Sequence, residues 1–130
     1  MSISSINMML SHTLYGKRFF PYYAFNVLGG LDAEGHGVVY GYDAIGCHEK
    51  RTYEAAGTGQ YAIIPFLDNV INNNNRNEPK PELSAAEVVE LLKEAFVSAG
   101  ERDVYTGDQL EIKVITASGI QQILFALNAD

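Results

Sequence analysis

Residues 23–56 constrain the fold more than any other stretch. Their pattern of side chains is typical of three antiparallel strands joined by two turns that each contain a glycine. In residues 23–31 the odd positions carry Tyr23, Phe25, Val27 and Leu31, and a period of two directs these side chains to one face of a sheet. Residues 32–35 have the chemistry of a type I turn closed by a glycine with positive φ, and residues 43–46 repeat it. The stretch therefore predicts two consecutive hairpins.

Two features of these strands lead to further expectations. Gly29 and Gly30 interrupt the first strand, and glycines inside a strand indicate that another backbone or a bulky side chain comes close. The third strand, residues 47–56, is mostly polar, so we expect one of its faces to lie against water or a partner.

Two other segments carry apolar residues at steps of three and four and predict amphipathic helices. The first covers residues 3–14 and is ended by Gly16. The second begins at a capping box of Ser84 and Glu87, in which each side chain satisfies a backbone N–H of the other residue. Its apolar stripe continues to residue 99.

Residues 60–71 predict a third helix, for which Thr58 is the expected N-cap. Pro65 lies inside this pattern, so the helix is expected either to begin late or to bend there. The Gly-Thr-Gly triplet before it lacks the lysine and hydroxyl of a P-loop, so no nucleotide cofactor is expected. Residues 72–83, rich in asparagine and proline, predict a solvated surface loop.

Residues 110–116 and 120–127 complete the pattern as two strands, and the last is apolar on both faces, so both faces are expected to be covered. The order is then helix, three strands, two helices and two strands. Helices separated in this way from antiparallel strands predict an α+β fold. We expect a single domain over residues 1–130, with its strands in two packed sheets and its helices outside.

The composition excludes several classes of partner. Nine Lys and Arg against 16 Asp and Glu give a net charge of −7, and the cations form no stripe, so no nucleic acid is expected to bind. No window has the roughly 18 to 20 apolar residues of a spanning helix, and no secretory signal pattern is present, so no membrane attachment is expected. The single cysteine, Cys47, excludes an internal disulfide and fits a reducing compartment.

The residues offer no catalytic or metal-binding pattern by themselves. The histidines have no HExxH or comparable spacing, and one cysteine cannot complete a thiolate zinc site, so no metal is expected. Arg102, Asp103 and Thr106 form the one compact grouping of a cation, an anion and a hydroxyl, and a local ion pair and turn is the favoured interpretation. The histidines are His12, His36 and His48.

Four motifs resemble a known family. They are LYGKRFFPYYAFNVLGGLD at residues 14–32, GTGQ at 57–60, FLDN at 66–69 and SAGERDVYTGD at 98–108. The chain resembles the β-type subunits of the eukaryotic 20S proteasome core particle, above all the non-catalytic subunit at the sixth position of the β ring. The resemblance implies an αββα four-layer sandwich of the N-terminal nucleophile hydrolase type.

It also implies a function. Such a subunit is a non-catalytic structural component of the core, and so of ATP- and ubiquitin-dependent protein degradation in the cytoplasm and nucleus. Its partners would be the other α- and β-type subunits in stacked seven-membered rings. No cofactor is implied.

In catalytic members the nucleophile is an N-terminal threonine at the start of a strand, and its own α-amino group can serve as base. We expect no catalytic residue here, because Ser2, which removal of the initiator methionine would expose, leads into a helix. Thr58, Asp103 and Thr106 match family positions around the nucleophile and are interpreted as vestigial, forming an inherited structural turn. Asp108 occupies the position at which active members usually have a second glycine, so the chain departs from the family pattern there.

The family's opening strands, including the hairpin that carries the nucleophile, have no counterpart in this sequence, so the resemblance covers about two thirds of a normal subunit. We expect a sandwich truncated at the N-terminus, with an uncovered apolar face and poor solubility as a monomer. Three alternatives stay open: a threonine-type endopeptidase subunit whose N-terminal part is absent here, a truncated product that is not incorporated, and a free-standing binding domain.

Overall fold

The structure is a computed structural model that describes residues 1–72, 77, 79 and 82–127. These residues form three helices and five strands in the predicted order, which confirms the mixed helix and strand content. The elements are α1 Ile3–Tyr15, β1 Val27–Leu31, β2 Gly37–Tyr42, β3 His48–Arg51, α2 Gln60–Val70, α3 Ala85–Arg102, β4 Gln109–Thr116 and β5 Gly119–Ala126.

The described residues fall into two compact units. The first unit consists of Met1–Ala56 with Ile115–Gly119, and the second of the described residues of Gly57–Val114 and Ile120–Asp130. Strands β1, β2 and β3 form one sheet in that order, and β4 pairs with β5 in another. The four-layer arrangement of the family therefore stays a prediction.

Both predicted hairpins of the first unit are present, and both turns use the same device. Gly35 and Gly46 have φ of +84° and +89°, as a type I turn closed by a glycine requires. Three residues before each glycine lies an aspartate whose Oδ1 accepts two hydrogen bonds from the backbone of the turn. The N–H two residues further along the chain donates at 3.0 Å, and the N–H four residues further along donates at 2.8 Å, in both turns. These aspartates are Asp32 and Asp43. The register then follows, with Leu31 opposite Gly37 and Tyr42 opposite His48.

The outer two strands are shorter than the sequence pattern predicts. β1 begins at Val27 rather than at residue 23, because Tyr23 has φ of +54°, which is not an extended conformation. β3 ends at Arg51 rather than at residue 56. The Arg51 side chain forms salt bridges with two carboxylates. Its Nη2 lies 2.8 Å from Oε2 of Glu49, and its Nε lies 3.1 Å from Oε2 of Glu54.

Helix α1 packs against this sheet and explains one of the two strand glycines. A Cβ on Gly30 would lie 2.7 Å from Cδ1 of Ile3, whereas a Cβ on Gly29 would meet open space. The predicted close approach is therefore confirmed at Gly30 and wrong at Gly29. Burial raises the pKa of the Tyr42 phenol, which stays protonated and donates to the buried side-chain oxygen of Asn7 on α1.

A second contact fixes α1 to the β2–β3 turn. The Ser11 hydroxyl donates to the Gly46 carbonyl at 2.6 Å, and a Cβ on Gly46 would collide with the Ser11 carbonyl oxygen. Gly46 is thus required both for its positive φ and for space.

In the second unit, α3 begins with the predicted capping box. Glu87 N–H donates to the Ser84 hydroxyl, and Ser84 N–H donates to Oε2 of Glu87 at 2.7 Å. Helix α2 runs through Pro65. Its N-cap is Gly59, not Thr58 as predicted, because the Thr58 hydroxyl donates instead to the carboxylate of Asp103.

The core of this unit lies between α3 and the β4–β5 hairpin. Three buried side chains form its centre, and the apolar face of α3 and alternate residues of β5 pack around them. Because only one face of this hairpin is packed by α3, Ile120 and Leu124 are exposed, and the expectation that both faces of β5 are covered is wrong. The central residues are Leu110, Ile112 and Leu127.

The loop predicted over residues 72–83 lies largely outside the described residues. Its described positions are outside the helices and strands; residues 77, 79 and 82 are exposed, and residues 72 and 83 are half-buried.

Comparing two turn glycines tests the contact of α1 with the sheet. Gly46→Ala should lower the free energy of unfolding by about 3 kcal/mol, since the alanine suffers both a positive φ and a backbone collision. Gly35→Ala has a similar φ but open space around the new Cβ, so it should cost about 1 kcal/mol. Urea denaturation followed by circular dichroism measures both, and equal losses would show that Ser11 does not crowd Gly46.

Candidate functional site

Asp103 lies at the point where α3 ends, and the structure makes it the centre of a polar cluster. It is the C-cap of the helix, with φ of −100° and ψ of 116°, and its N–H donates to the Ala99 carbonyl at 2.8 Å. Only 7% of its surface is exposed. A carboxylate this buried requires hydrogen-bond donors, because burial without them is costly.

The chain supplies three donors to this carboxylate. The hydroxyls of Thr58 and Thr106 donate to Oδ2 at 2.6 and 2.7 Å, and the N–H of Tyr105 donates to Oδ1 at 3.2 Å. The three residues that the sequence predicts for the vestigial site are therefore in direct contact. We call Thr58, Asp103 and Thr106 the Asp103 cluster.

The expected ion pair of Arg102 with Asp103 is absent, because the donors to the carboxylate are hydroxyls and a backbone N–H. The expected turn is present, since the Thr106 N–H donates to the Asp103 carbonyl at 3.2 Å. The cation therefore takes no part in the cluster.

Sequence reasoning missed the contribution of Gly59. A Cβ there would lie 3.1 Å from the Thr106 hydroxyl and 3.4 Å from Oδ2 of Asp103, so this glycine lets the start of α2 approach the carboxylate. The Gly-Thr-Gly triplet was the available signal, but a sequence alone does not say what comes close to a glycine.

The hydrogen bonds determine the charge of the cluster. Donation from Thr58, then from Thr106, holds the pKa of Asp103 below its ordinary value of 3.8, against the opposing effect of burial. The carboxylate is ionised at neutral pH and is a weak base there. The arrangement orients two hydroxyls and joins the start of α2 to the end of α3.

The remaining candidate residues are not brought into this cluster. Ser2 is the N-cap of α1: its hydroxyl lies 2.9 Å from that of Ser5 and accepts the Ser5 N–H at 3.2 Å. Asp108 has φ of +61°, a conformation that favours glycine, and this fits the glycine expected there in active members. Cys47 is exposed immediately before β3.

Among the described residues, no group of three or more His, Cys, Asp or Glu side chains could hold a metal ion. No helix in the described part of the chain is long and apolar enough to cross a bilayer.

Comparison with known proteins identifies the class. Residues 1–115 match the family model described as "Proteasome subunit". The chain therefore belongs to the proteasome subunit family, as its motifs predicted.

Its relatives define the class more narrowly. Over the whole chain it is 50% identical to proteasome subunit beta type-1 of Arabidopsis thaliana and 47% identical to beta type-1-B of Carassius auratus. It is 41% identical to proteasome subunit beta type-6 of Saccharomyces cerevisiae. These alignments cover 60%, 55% and 58% of the relatives, so the chain spans somewhat more than half of their length. The predicted similarity to β-type subunits is confirmed.

Removing one hydroxyl at a time tests the cause of the low pKa. Thr58→Val and Thr106→Val should each raise the pKa of Asp103 toward its ordinary value, and the double variant should raise it further, since each removes one donor to Oδ2. Carbon-detected NMR titration of the side-chain carboxyl measures this. Thr13→Val, whose hydroxyl donates to the Met9 carbonyl, is the matched control and should leave the pKa unchanged.

The same pKa predicts how stability depends on pH. A carboxyl whose folded pKa lies below its unfolded pKa contributes stability above the unfolded value, and this contribution is lost as pH falls through the folded pKa. The stability difference between wild type and Asp103→Asn should therefore be constant above about pH 5 and shrink below about pH 4. Urea denaturation at several pH values measures it. The control Glu101→Gln, an exposed carboxylate, should show no such trend, and a difference independent of pH would contradict the assignment.

Proposed function

We propose that the chain is a non-catalytic structural subunit of the 20S proteasome core particle. The observation that carries the non-catalytic assignment is the Asp103 cluster, in which the carboxylate already accepts three hydrogen bonds from the chain itself. The similarity to beta type-1 subunits across the whole chain supports the assignment to the β ring.

The cluster favours a structural role for a chemical reason. Both of its hydroxyls donate to a carboxylate with a lowered pKa, so neither hydroxyl is paired with a base able to take its proton at neutral pH. Activating either one would require a separate base. The histidines do not supply one, since none of the described contacts of the cluster involves a histidine side chain.

The proposal includes the assembly and its place in the cell. The chain would fold as part of a four-layer αββα sandwich and pack beside other α- and β-type subunits in stacked seven-membered rings. Peptide bonds would be hydrolysed by other subunits, in ATP- and ubiquitin-dependent degradation in the cytoplasm and nucleus. Large exposed side chains on the first unit, such as Phe19 and Phe20, support a role in assembly.

A threonine-type endopeptidase subunit is the second candidate. The observation in its favour is that Thr58, Asp103 and Thr106 are kept together, as the family's catalytic members are expected to keep them. In that case the cluster would support a nucleophile located outside these 130 residues.

Labelling separates the two candidates. The core particle would be purified from the chain's native cells, quantified by mass spectrometry and treated with an active-site-directed peptide epoxyketone. We expect one copy of the chain per β ring without label, because neither hydroxyl of the Asp103 cluster is paired with a base that could activate it, while other subunits are labelled. Labelling of any side chain of this polypeptide would contradict the proposal, and so would its absence from the particle.

Kinetics give an independent result. Asp103→Asn should leave each peptidase activity of the purified particle within about twofold of wild type, whereas loss of a residue that supports a nucleophile would cost on the order of 100-fold in one activity. Glu101→Gln, which neutralises an exposed carboxylate in the last turn of α3, controls for the change of charge.

A further inference from the structure

The charges of the chain are unevenly divided. The first 31 residues contain no Asp or Glu, and their only formal charges are Lys17 and Arg18. All 16 acidic residues and the other seven cations lie in residues 32–130. The net charge is therefore +2 for residues 1–31 and −9 for residues 32–130. A basic region on an acidic protein indicates a partner of opposite charge.

The two cations lie in a segment of exposed aromatic rings. We call residues 15–25 the basic aromatic segment. Phe19 is 95% exposed and Phe20 is 84% exposed, and four further rings are largely exposed as well. Aromatic residues and arginine are the side chains that contribute most at protein interfaces. The four further rings are those of Tyr15, Tyr22, Tyr23 and Phe25.

The rings hold the cations in place without neutralising them. The guanidinium carbon of Arg18 lies 5.5 Å from the Tyr15 ring and 5.6 Å from the Phe19 ring, and Nη1 donates to the Tyr15 hydroxyl at 3.0 Å. Nζ of Lys17 lies 5.9 Å from the Tyr22 ring. Among the described residues, neither cation forms a salt bridge with a carboxylate. Preorganised cations that lack an anion are suited to an acidic surface.

We propose that the basic aromatic segment is a docking surface for a neighbouring core-particle subunit that presents carboxylates around apolar sockets. The inference rests on the proposed function. The carboxylates pair with Lys17 and Arg18, and the sockets take the rings of Phe19 and Phe20. Membership of the proteasome subunit family favours another subunit over a second copy as the occupant.

Site-directed photocrosslinking identifies the occupant. p-Benzoylphenylalanine would replace Phe19 in the chain expressed in its native cells, and the core particle would be purified after irradiation. We expect a crosslink to one core-particle subunit, at a peptide containing Asp or Glu. The same probe at Val104, which is also highly exposed but lies outside the segment, is the control and should not give this product.

Charge reversal tests the role of the cations. Lys17→Glu with Arg18→Glu should lower the amount of chain in the core particle roughly tenfold. Lys50→Glu with Lys113→Glu makes the same change in net charge on exposed strand positions and should leave incorporation within about twofold. Exchanging the two cations, Lys17→Arg with Arg18→Lys, should retain most of it, and circular dichroism checks that all variants keep their helices.

The outcomes separate this inference from the proposed function. If the wild-type chain is absent from the core particle, both fail. If the wild-type chain is present but Phe19 crosslinks to a second copy, to its own polypeptide or to nothing, only the docking inference fails. Equal incorporation of the two charge-reversed variants would also overturn it.

Discussion

The second unit depends on one buried carboxylate. Asp103 is separated from Thr58 by 45 positions, and the hydrogen bond between them fixes the start of α2 beside the end of α3. Because an unsatisfied buried carboxylate is costly, the three donors and the close approach of Gly59 have to occur together. The lowered pKa of Asp103 is the electrostatic consequence of the same arrangement. Burial and hydrogen bonding together therefore explain why these side chains meet at one carboxylate.

The first unit uses carboxylates in a more local way. Asp32 and Asp43 each accept two N–H groups of the turn that follows, and a glycine with positive φ completes each turn. Helix α1 then packs on the sheet where Gly46 leaves room for its backbone. The basic aromatic segment of this unit is exposed. Exposed aromatic side chains are common at protein interfaces, so the first unit carries the surface that is best suited to a partner.

Local chemistry made several elements predictable. The two hairpins and the capping box of Ser84 with Glu87 depend on residues at most four positions apart, and both were predicted correctly. Errors arose where distant residues decide. Thr58 was expected to cap α2 but instead donates to Asp103, and β5 was expected to be covered on both faces although α3 packs against only one. The start of β1 was also wrong, because alternation does not reveal the positive φ of Tyr23.

The sequence by itself determined the order of the elements, the positions of the two glycine turns, the family and the three members of the Asp103 cluster, since each of these is set by local spacing or by recognisable motifs. Only the tertiary structure decided that the Asp103 carboxylate accepts hydrogen bonds from both threonine hydroxyls and that Arg102 takes no part in the cluster. It also decided which glycines have close neighbours: a Cβ on Gly59 would approach the cluster, whereas a Cβ on Gly29 would meet open space. The physical reason is that hydrogen bonding and burial depend on which distant groups meet, and the spacing of residues along the chain does not specify those distances.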